Sequence, residues 1–389
     1  MLQNTKNLLA DLIAFPTISS DSNLEIIDYI ADYLRQWGIR VHIFKHETQR
    51  KANLFATIGP EGNGGVVLSG HTDVVPVADQ NWSSDPFKMI ESDGRLYGRG
   101  ACDMKGFIAC TLAMAPQYAK LDLKHPVHFA FTYDEETGCL GAQKLAKDLA
   151  LQNIKPAMAI IGEPTEMCMI EGHKGMYEYT TEFSGLEGHS SRPELGVNAV
   201  EYAARYVSHL ISLRKQLESQ APPASQFEPP HATINVGSIH GGVAHNVIAN
   251  KSVVEWEMRP VQKSDADFVK SAIDDYVRQT LLPEMKSVHR NADIKTTTIG
   301  EVEGLIPMEE NNARTLVAEL TGANRVDLVA FGTEAGIFQS LGMDCIVCGP
   351  GSIAQAHKAD EFVQLDQLQS CLTMLEKLRD RLCQPWNRR

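Results

Sequence analysis

The stretch Gly65-Val66-Val67-Leu68-Ser69-Gly70-His71-Thr72-Asp73-Val74-Val75-Pro76 is an apolar run that ends in a histidine, with an aspartate two residues further on. It reads as a buried strand that delivers a metal ligand to the edge of a sheet. An aspartate at that spacing suits the ring nitrogen that does not bind metal, where it would fix the tautomer and raise the basicity of the ligand. Taken alone, the pair is equally a solvated loop histidine, so the remaining ligands must come from elsewhere in the chain.

Working outward, residues 3 to 14 and 22 to 37 carry helical periodicity. In the second, Leu24, Ile27, Ile30 and Leu34 form a stripe, Ser22 is placed to cap the start, and Gly38 ends it. Strands are expected at 39–43 and 53–58. Beyond the histidine, a strand-like Arg95-Leu96-Tyr97 precedes GRGACDMKG at 98–106, which sets Asp103 in a loop before an apolar helix running from Phe107 to about Ala119. The strand Val127 to Tyr133 ends in Asp134-Glu135-Glu136-Thr137-Gly138, and a strand from Ala157 to Ile161 ends in Gly162-Glu163-Pro164. In open α/β sheets, ligands bind outside the carboxyl ends of the strands, so His71, Glu135, Glu136 and Glu163 are expected to converge.

The character changes near Gly175. Residues 177–183 alternate as a half-exposed strand, a loop at 188–193 carries His189, and 198–217 is a long helix. A Pro-rich connection at 221–230 leads to strands at 232–239 and 252–258, which flank the segment from Gly241 to Asn246. A helix at 264–281 and a strand at 293–299 follow. This βαββαβ order defines a two-layer domain of about 125 residues inserted in a larger α/β one. From about Leu305 the αβ rhythm resumes, with a helix at 311–321, strands at 327–330 and 345–347, a loop carrying His357, and a helix at 364–383. The expected catalytic domain is therefore 1–175 and 302–389, and the insertion is 176–301.

The net charge of −13 disfavours a nucleic-acid or anionic-membrane partner. Asp11 interrupts the apolar N-terminal run and no small-residue cleavage site follows, which argues against a signal peptide and for the cytoplasm. There, the eight cysteines are expected to be free thiols. Cys345 and Cys348 match CxxC, but on an apolar strand, where positions three apart face opposite sides, so no redox role is expected.

Metal sites for hydrolysis near neutral pH combine imidazole and carboxylate ligands with room for water. His71 and His357 offer nitrogen; Asp103, Glu136 and Glu163 offer oxygen. Glu135 adjoins a ligand and so fits a general base better than a ligand. Each residue also has a plainer reading: the Glu pair as a solvated helix start, Asp103 as a helix cap, Glu163 as a turn residue, His357 as a satisfied loop histidine. Those readings leave unexplained why the set falls where strands end.

HTDVVP at 71–76, GRGACDMKG at 98–106, DEETG at 134–138, GEPT at 162–165, GHSSRP at 188–193 and the late His357 together resemble the dinuclear zinc metallopeptidase and deacylase family. The resemblance runs in order along nearly the whole chain. It implies a two-metal zinc-peptidase-like catalytic domain with an inserted dimerisation lid, two zinc ions with cobalt able to substitute, and a homodimer acting on a small N-acyl amino acid. Asp103 would bridge the ions, His71 and Glu163 would hold one, and Glu136 and His357 the other. Glu135 would be the base and Asp73 would stand behind His71. The family pattern also implies a cis peptide between Asp103 and Met104. His189 would enter the partner's active site to stabilise an oxyanion, and Asn246 and Arg259 match positions that hold a substrate carboxylate, a task suited to arginine's planar fork; a surface ion pair is the other reading of Arg259. HKG at 173–175, FGTEAG at 331–336 and CGPGSIAQAHKADE at 348–361 resemble most the branch that deacetylates acetylated ornithine in arginine biosynthesis. A desuccinylase, an acetylcitrulline deacetylase or a broader N-acyl-amino-acid hydrolase of the family is the alternative, and a noncatalytic binding protein is disfavoured because the base and all five ligand candidates are present. Glu334 stands either as a reader of the substrate's ammonium or as a helix-start carboxylate.

Overall fold

A computed structural model describes residues 1–61 and 63–386. They form two compact units: Met1–Gly172 with Pro307–Val329 and Thr333–Arg389, and His173–Ile306 with Ala330–Gly332.

The first unit is built on an eight-stranded sheet in the order 40–45, 52–58, 127–132, 66–71, 158–164, 344–349, 169–173, 326–329. Its centre is parallel: Val66–His71 runs parallel to Val127–Thr132 on one side and to Met158–Pro164 on the other, and Asp344–Gly349 runs parallel to the last. Every residue of Val66–His71, Val127–Thr132 and Met158–Pro164 is buried. That burial is why these stretches are almost continuously apolar rather than alternating. The register sets His71 opposite Thr132 and Ser69 opposite Ile161, so the carboxyl ends of the central strands open at one edge.

The helix Lys105–Ala119 is apolar on all sides and almost wholly buried, as a helix enclosed by other elements must be. It packs with Leu2–Ile13 and Leu365–Leu382. Lys105 joins the first of these contacts: its buried ammonium donates to the carbonyls of Leu12 (3.0 Å) and Phe15 (2.8 Å), satisfying the end of the N-terminal helix. Gly162 explains part of the GEPT segment, because a Cβ there would lie 2.0 Å from Cγ of Phe107.

The second unit is a four-stranded antiparallel sheet in the order 233–241, 251–259, 176–184, 293–302. Burial alternates along Met176–Ser184 and Lys251–Arg259, the pattern of a sheet with one covered face. Tyr179 stacks on Trp256 at 4.5 Å, and Trp256 Nε1 donates to Thr181 Oγ1 at 3.2 Å. The helix expected at 264–281 is Lys263–Tyr276, followed by one π-helical stretch, Val277–Leu281, and by Leu282–Val288. Pro283 lacks the N–H that a continuing α-helix would use, and the wider turn just before it accommodates that loss. Met169–His173 was not expected as a strand; it is short, buried throughout and without alternation, and its Glu171 is paired with Arg314 at 2.7 Å.

In the first unit, His128 on the strand Val127–Thr132 gives a pH dependence away from the carboxyl ends of the strands. The neutral ring satisfies both its neighbours, with Nδ1 2.9 Å from Thr57 Oγ1 and Nε2 3.2 Å from the Gly64 carbonyl. Burial pushes its pKa from 6.5 down to about 4. The unfolded ring takes up a proton near pH 6.5 and the folded ring only near 4, so this contribution is intact above 6.5 and is lost as pH falls towards 4. Removing it by His128→Gln is expected to flatten the fall of unfolding free energy between those values, by up to about 1.4 kcal/mol per pH unit. Urea unfolding of both proteins across that range measures the two slopes, and equal slopes would refute the assignment.

Candidate metal centre

At the carboxyl edge of the parallel strands, buried His71 places Nε2 3.0 Å from Oδ1 of Asp103 and 3.7 Å from Oε1 of Glu163. The second oxygen of Asp103 lies 3.3 Å from Nε2 of His357, and that nitrogen is 3.0 Å from Oε2 of Glu136. One carboxylate thus faces two imidazoles, one with each oxygen. Asp103 is no helix cap, since the helix Lys105–Ala119 begins without a side-chain cap bond. The Asp103–Met104 peptide is cis. Asp134 and His357 take left-handed backbone, at φ 53° and 62°, unusual for residues other than glycine and frequent where a functional turn is held by its surroundings.

Asp73 has a different connection from the expected one. The turn after the strand brings its main-chain carbonyl to within 2.9 Å of His71 Nδ1, leaving carboxylate Oδ1 at 3.6 Å. The carboxylate instead accepts from the amides of Glu135 (3.1 Å) and Glu136 (3.3 Å) and from Ser19 Oγ (2.7 Å). It therefore holds the turn that carries two other site residues. Asp134 on the same turn is paired with the buried ammonium of Lys51, which also donates to the Ser19 carbonyl. Glu135 is half-buried and accepts from the thiol of Cys139 at 3.4 Å.

Glu334 stands at the start of the helix Ala335–Ser340, one of the two readings the sequence allowed, where its carbonyl accepts from the amides of Ile337 and Phe338. It is buried, and it accepts from Ser69 Oγ (2.5 Å) and Thr132 Oγ1 (2.8 Å), tying adjacent strands near His71. Sequence reasoning also missed Ser19, Lys51 and Glu361. Glu361 had a weak signal, an acid four residues after His357 in a loop that starts no helix; Ser19 and Lys51 had none, because only the fold brings them to the site.

The donor set fits divalent cations. Oε1 of Glu163 is buried without a hydrogen-bond partner. Burial pushes Glu163 well above the usual carboxylate range, with Asp103 adding to it. Desolvation raises Glu135 to about 8, opposed by His71 and reinforced by Glu136 and Asp103. Glu136 is raised chiefly by desolvation too. Bonds to Asp103 and Glu136 raise His357 to about 10, and for His71 the lowering by burial is outweighed by the nearby carboxylates of Asp103, Asp73 and Glu163. Acids pushed up and histidines pushed up together describe a cluster short of positive charge, in which imidazole protons stand where cations fit; metal uptake releases such protons. His71, Glu135 and Glu163 form one group able to hold an ion, and His71, Asp103 and Glu136 another.

The three remaining candidates lie in the second unit. His189 and Asn246 are brought side by side, because Gly188–His189 pairs with Val247–Ile248 and the Ser190 amide donates to the Asn246 carbonyl at 3.2 Å. His189 is exposed, and its Nδ1 accepts from the Ser191 amide at 3.2 Å, which places the proton of the neutral ring on Nε2. The guanidinium of Arg259 is paired with Glu257 at 3.1 Å and donates to the Ala330 carbonyl at 3.1 Å.

An α/β sheet that gathers His71, His357 and the carboxylates of Asp103, Glu135, Glu136 and Glu163 at the carboxyl edge of its parallel strands, with Asp103 facing both histidines, is the framework of a metal-dependent hydrolase. The chain belongs to the peptidase family M20/M25/M40, whose sequence pattern matches residues 67–381. It is 34% identical over 383 residues to an acetylornithine deacetylase of Proteus mirabilis (strain HI4320), covering 97% of this chain and 96% of that protein. It is 36% identical over 364 residues to an acetylornithine deacetylase of Shigella sonnei (strain Ss046), covering 91% of each. In fold it is similar to an M20 family metallo-carboxypeptidase from Sulfolobus solfataricus, with a TM-score of 0.75, 16% identity, and 97% of this chain and 99% of the other covered.

Because Asp73 holds the Glu135–Glu136 turn through two amides, Asp73→Ala is expected to weaken metal affinity by about 10 to 100-fold without emptying the site. Zinc titration of chelator-treated protein reads the change. A variant purified with no affinity for metal at all would show that Asp73 is itself a ligand.

Proposed function

We propose that this chain hydrolyses the acetyl amide of N2-acetyl-L-ornithine to L-ornithine and acetate, a step of arginine biosynthesis, in a reducing cytoplasm consistent with its eight free cysteines. The carrying observation is identity above 30% with two acetylornithine deacetylases along nearly the full length of each. His71 and Glu163 would hold one divalent ion, Glu136 and His357 the second, and Asp103 both; zinc is the proposed metal, with cobalt able to substitute. Bound there, the ions supply Lewis acidity towards the amide carbonyl and make water a nucleophile near neutral pH.

The chain's own part is proton transfer and orientation. Glu135 accepts the proton of the attacking water and returns it to the leaving amine, a role worth roughly 10² to 10⁴-fold in rate. Its support by a thiol rather than a cation leaves it basic enough for that exchange. Asn246 and Arg259 hold the substrate carboxylate, for which Arg259 exchanges its pairing with Glu257. In this reading the 176–301 domain is a dimerisation lid, and His189 donates from Nε2 to the tetrahedral oxyanion in the partner's site. Ile239 and Ile299 on the two edge strands of that domain expose apolar side chains of the kind a second copy would cover.

Purified protein should release ornithine from acetylornithine, lose the activity on chelation and regain it with zinc. Glu135→Gln, which keeps the shape and removes the base, should retain both ions and lose most turnover; near wild-type kcat in that variant, or no turnover by a zinc-loaded wild type, would defeat the reading.

The dimeric role of His189 has its own test. His189→Ala and Glu135→Gln chains, each nearly inactive alone, should regain about a quarter of wild-type activity after random mixing, because half the dimers then contain one intact composite site. Mixing without recovery, in material shown to have exchanged subunits, would place His189 outside the partner's chemistry.

A further inference from the structure

Glu361 is 1% exposed and lies four residues beyond His357. Its Oε1 accepts from the amides of Cys102 (2.8 Å) and Asp103 (3.0 Å). Its Oε2 accepts from the amide of Gly100 (3.0 Å) and from Nη1 of Arg99 (2.7 Å). All three amides belong to the turn that ends in Asp103. Arg99, also 1% exposed, carries the connection on: Nη2 donates to Oε1 of Gln80, and Nε2 of Gln80 donates to the carbonyl of His357 at 3.0 Å. Nearby, the amide and hydroxyl of Ser83 donate to the carboxylate of Asp360 at 2.9 and 2.7 Å. Two ligand turns more than 250 residues apart in sequence are thus joined through one buried carboxylate.

The position is a costly one for an acid. Glu361 stands beside the like charge of Asp103, and a buried carboxylate is tolerated only with its oxygens fully engaged and a cation at hand. Here the three amides engage the oxygens and Arg99 supplies the cation. A salt bridge serving stability alone would need only Arg99; the three amides of the Asp103 turn give the carboxylate a second job.

We propose that Glu361 is a positioning residue that sets the Asp103 carboxylate in register with His357 before metal arrives, so that the shared site is preformed. The proposal rests on the reading of Asp103 and His357 as ligands. Glutamine at 361 keeps the volume but turns an amino group towards either the Cys102 and Asp103 amides or the Gly100 amide and Arg99, and that half of the network opens. His71 and Glu163 sit on strands that the sheet holds independently, so the ion shared by Glu136 and His357 is the one that loosens.

Zinc titration into chelator-treated full-length protein tests this. Wild type should take up two ions, and Glu361→Gln should bind one of them about 10 to 100-fold more weakly. Glu171→Gln, which breaks the buried pair with Arg314 elsewhere in the same unit, should lower the melting temperature and leave both affinities unchanged. A folded Glu361→Gln protein with both affinities within about twofold of wild type overturns the role given to Glu361, since positioning of this kind changes metal affinity at least tenfold. A wild type that takes up no zinc overturns the ligand reading instead. Should Glu361→Gln fail to fold, hydrogen exchange in zinc-free wild type decides: protected amides at Cys102 and Asp103 support a preformed turn, and exchange as fast as in open loops overturns it.

Discussion

Everything at the strand ends depends on one shared group. Asp103 presents one oxygen to His71 and the other to His357, and those histidines arrive from opposite ends of the chain. His71 closes a strand in the middle of the sheet; His357 sits in a left-handed turn after the strand Asp344–Gly349. Such an arrangement is useful only if the carboxylate is held still between them. A carboxylate on a mobile turn would choose one histidine and leave the other to solvent, as an unconstrained ion pair does when side-chain entropy competes with a weak attraction.

The same device recurs under each ligand turn: a buried acid takes donors from the segment above it. Asp73 accepts from the amides of Glu135 and Glu136, Glu361 from those of Gly100, Cys102 and Asp103, and Glu334 from the hydroxyls of Ser69 and Thr132 beside His71. Acids suit the task because a carboxylate accepts several charge-assisted bonds at once in fixed directions. Their use deepens the local excess of negative charge, which Lys51, Arg99 and Lys105 offset only in part. Divalent cations held there would offset that excess, and would then act on the anchors as well as on the residues around them.

Much of this was legible in the sequence, for a physical reason. A central parallel strand is buried on both faces, so Val66–His71, Val127–Thr132 and Met158–Pro164 announce themselves as apolar runs, and the polar residues just beyond them mark the one place where such strands meet solvent. The alternation of Met176–Ser184 likewise marks a sheet with one covered face. Other features were hidden because their signal is not local. Met169–His173 is too short and too evenly buried to show a period. Asp73 was expected to face the His71 ring with its side chain, and spacing alone could not tell that the main-chain carbonyl would do so. Glu334 was readable as a helix-start residue, but its tie to Ser69 and Thr132 was not, because those hydroxyls are more than 200 residues away.

The contrast between ligands and anchors follows from what each must satisfy. His71 and Glu163 stand at the ends of buried strands, and strand ends are written in the order of residues. An anchor has only to reach a backbone amide, which every residue but proline provides, so nothing in the composition of the turn above selects it. Glu361 and Asp73 are therefore found by asking where the amides of the Asp103 and Glu135 turns go once the chain is folded. Chemistry at the strand ends is specified by side-chain type, whereas its geometry is specified by main-chain hydrogen bonds whose acceptors lie far away in sequence, and the two meet only in the folded chain.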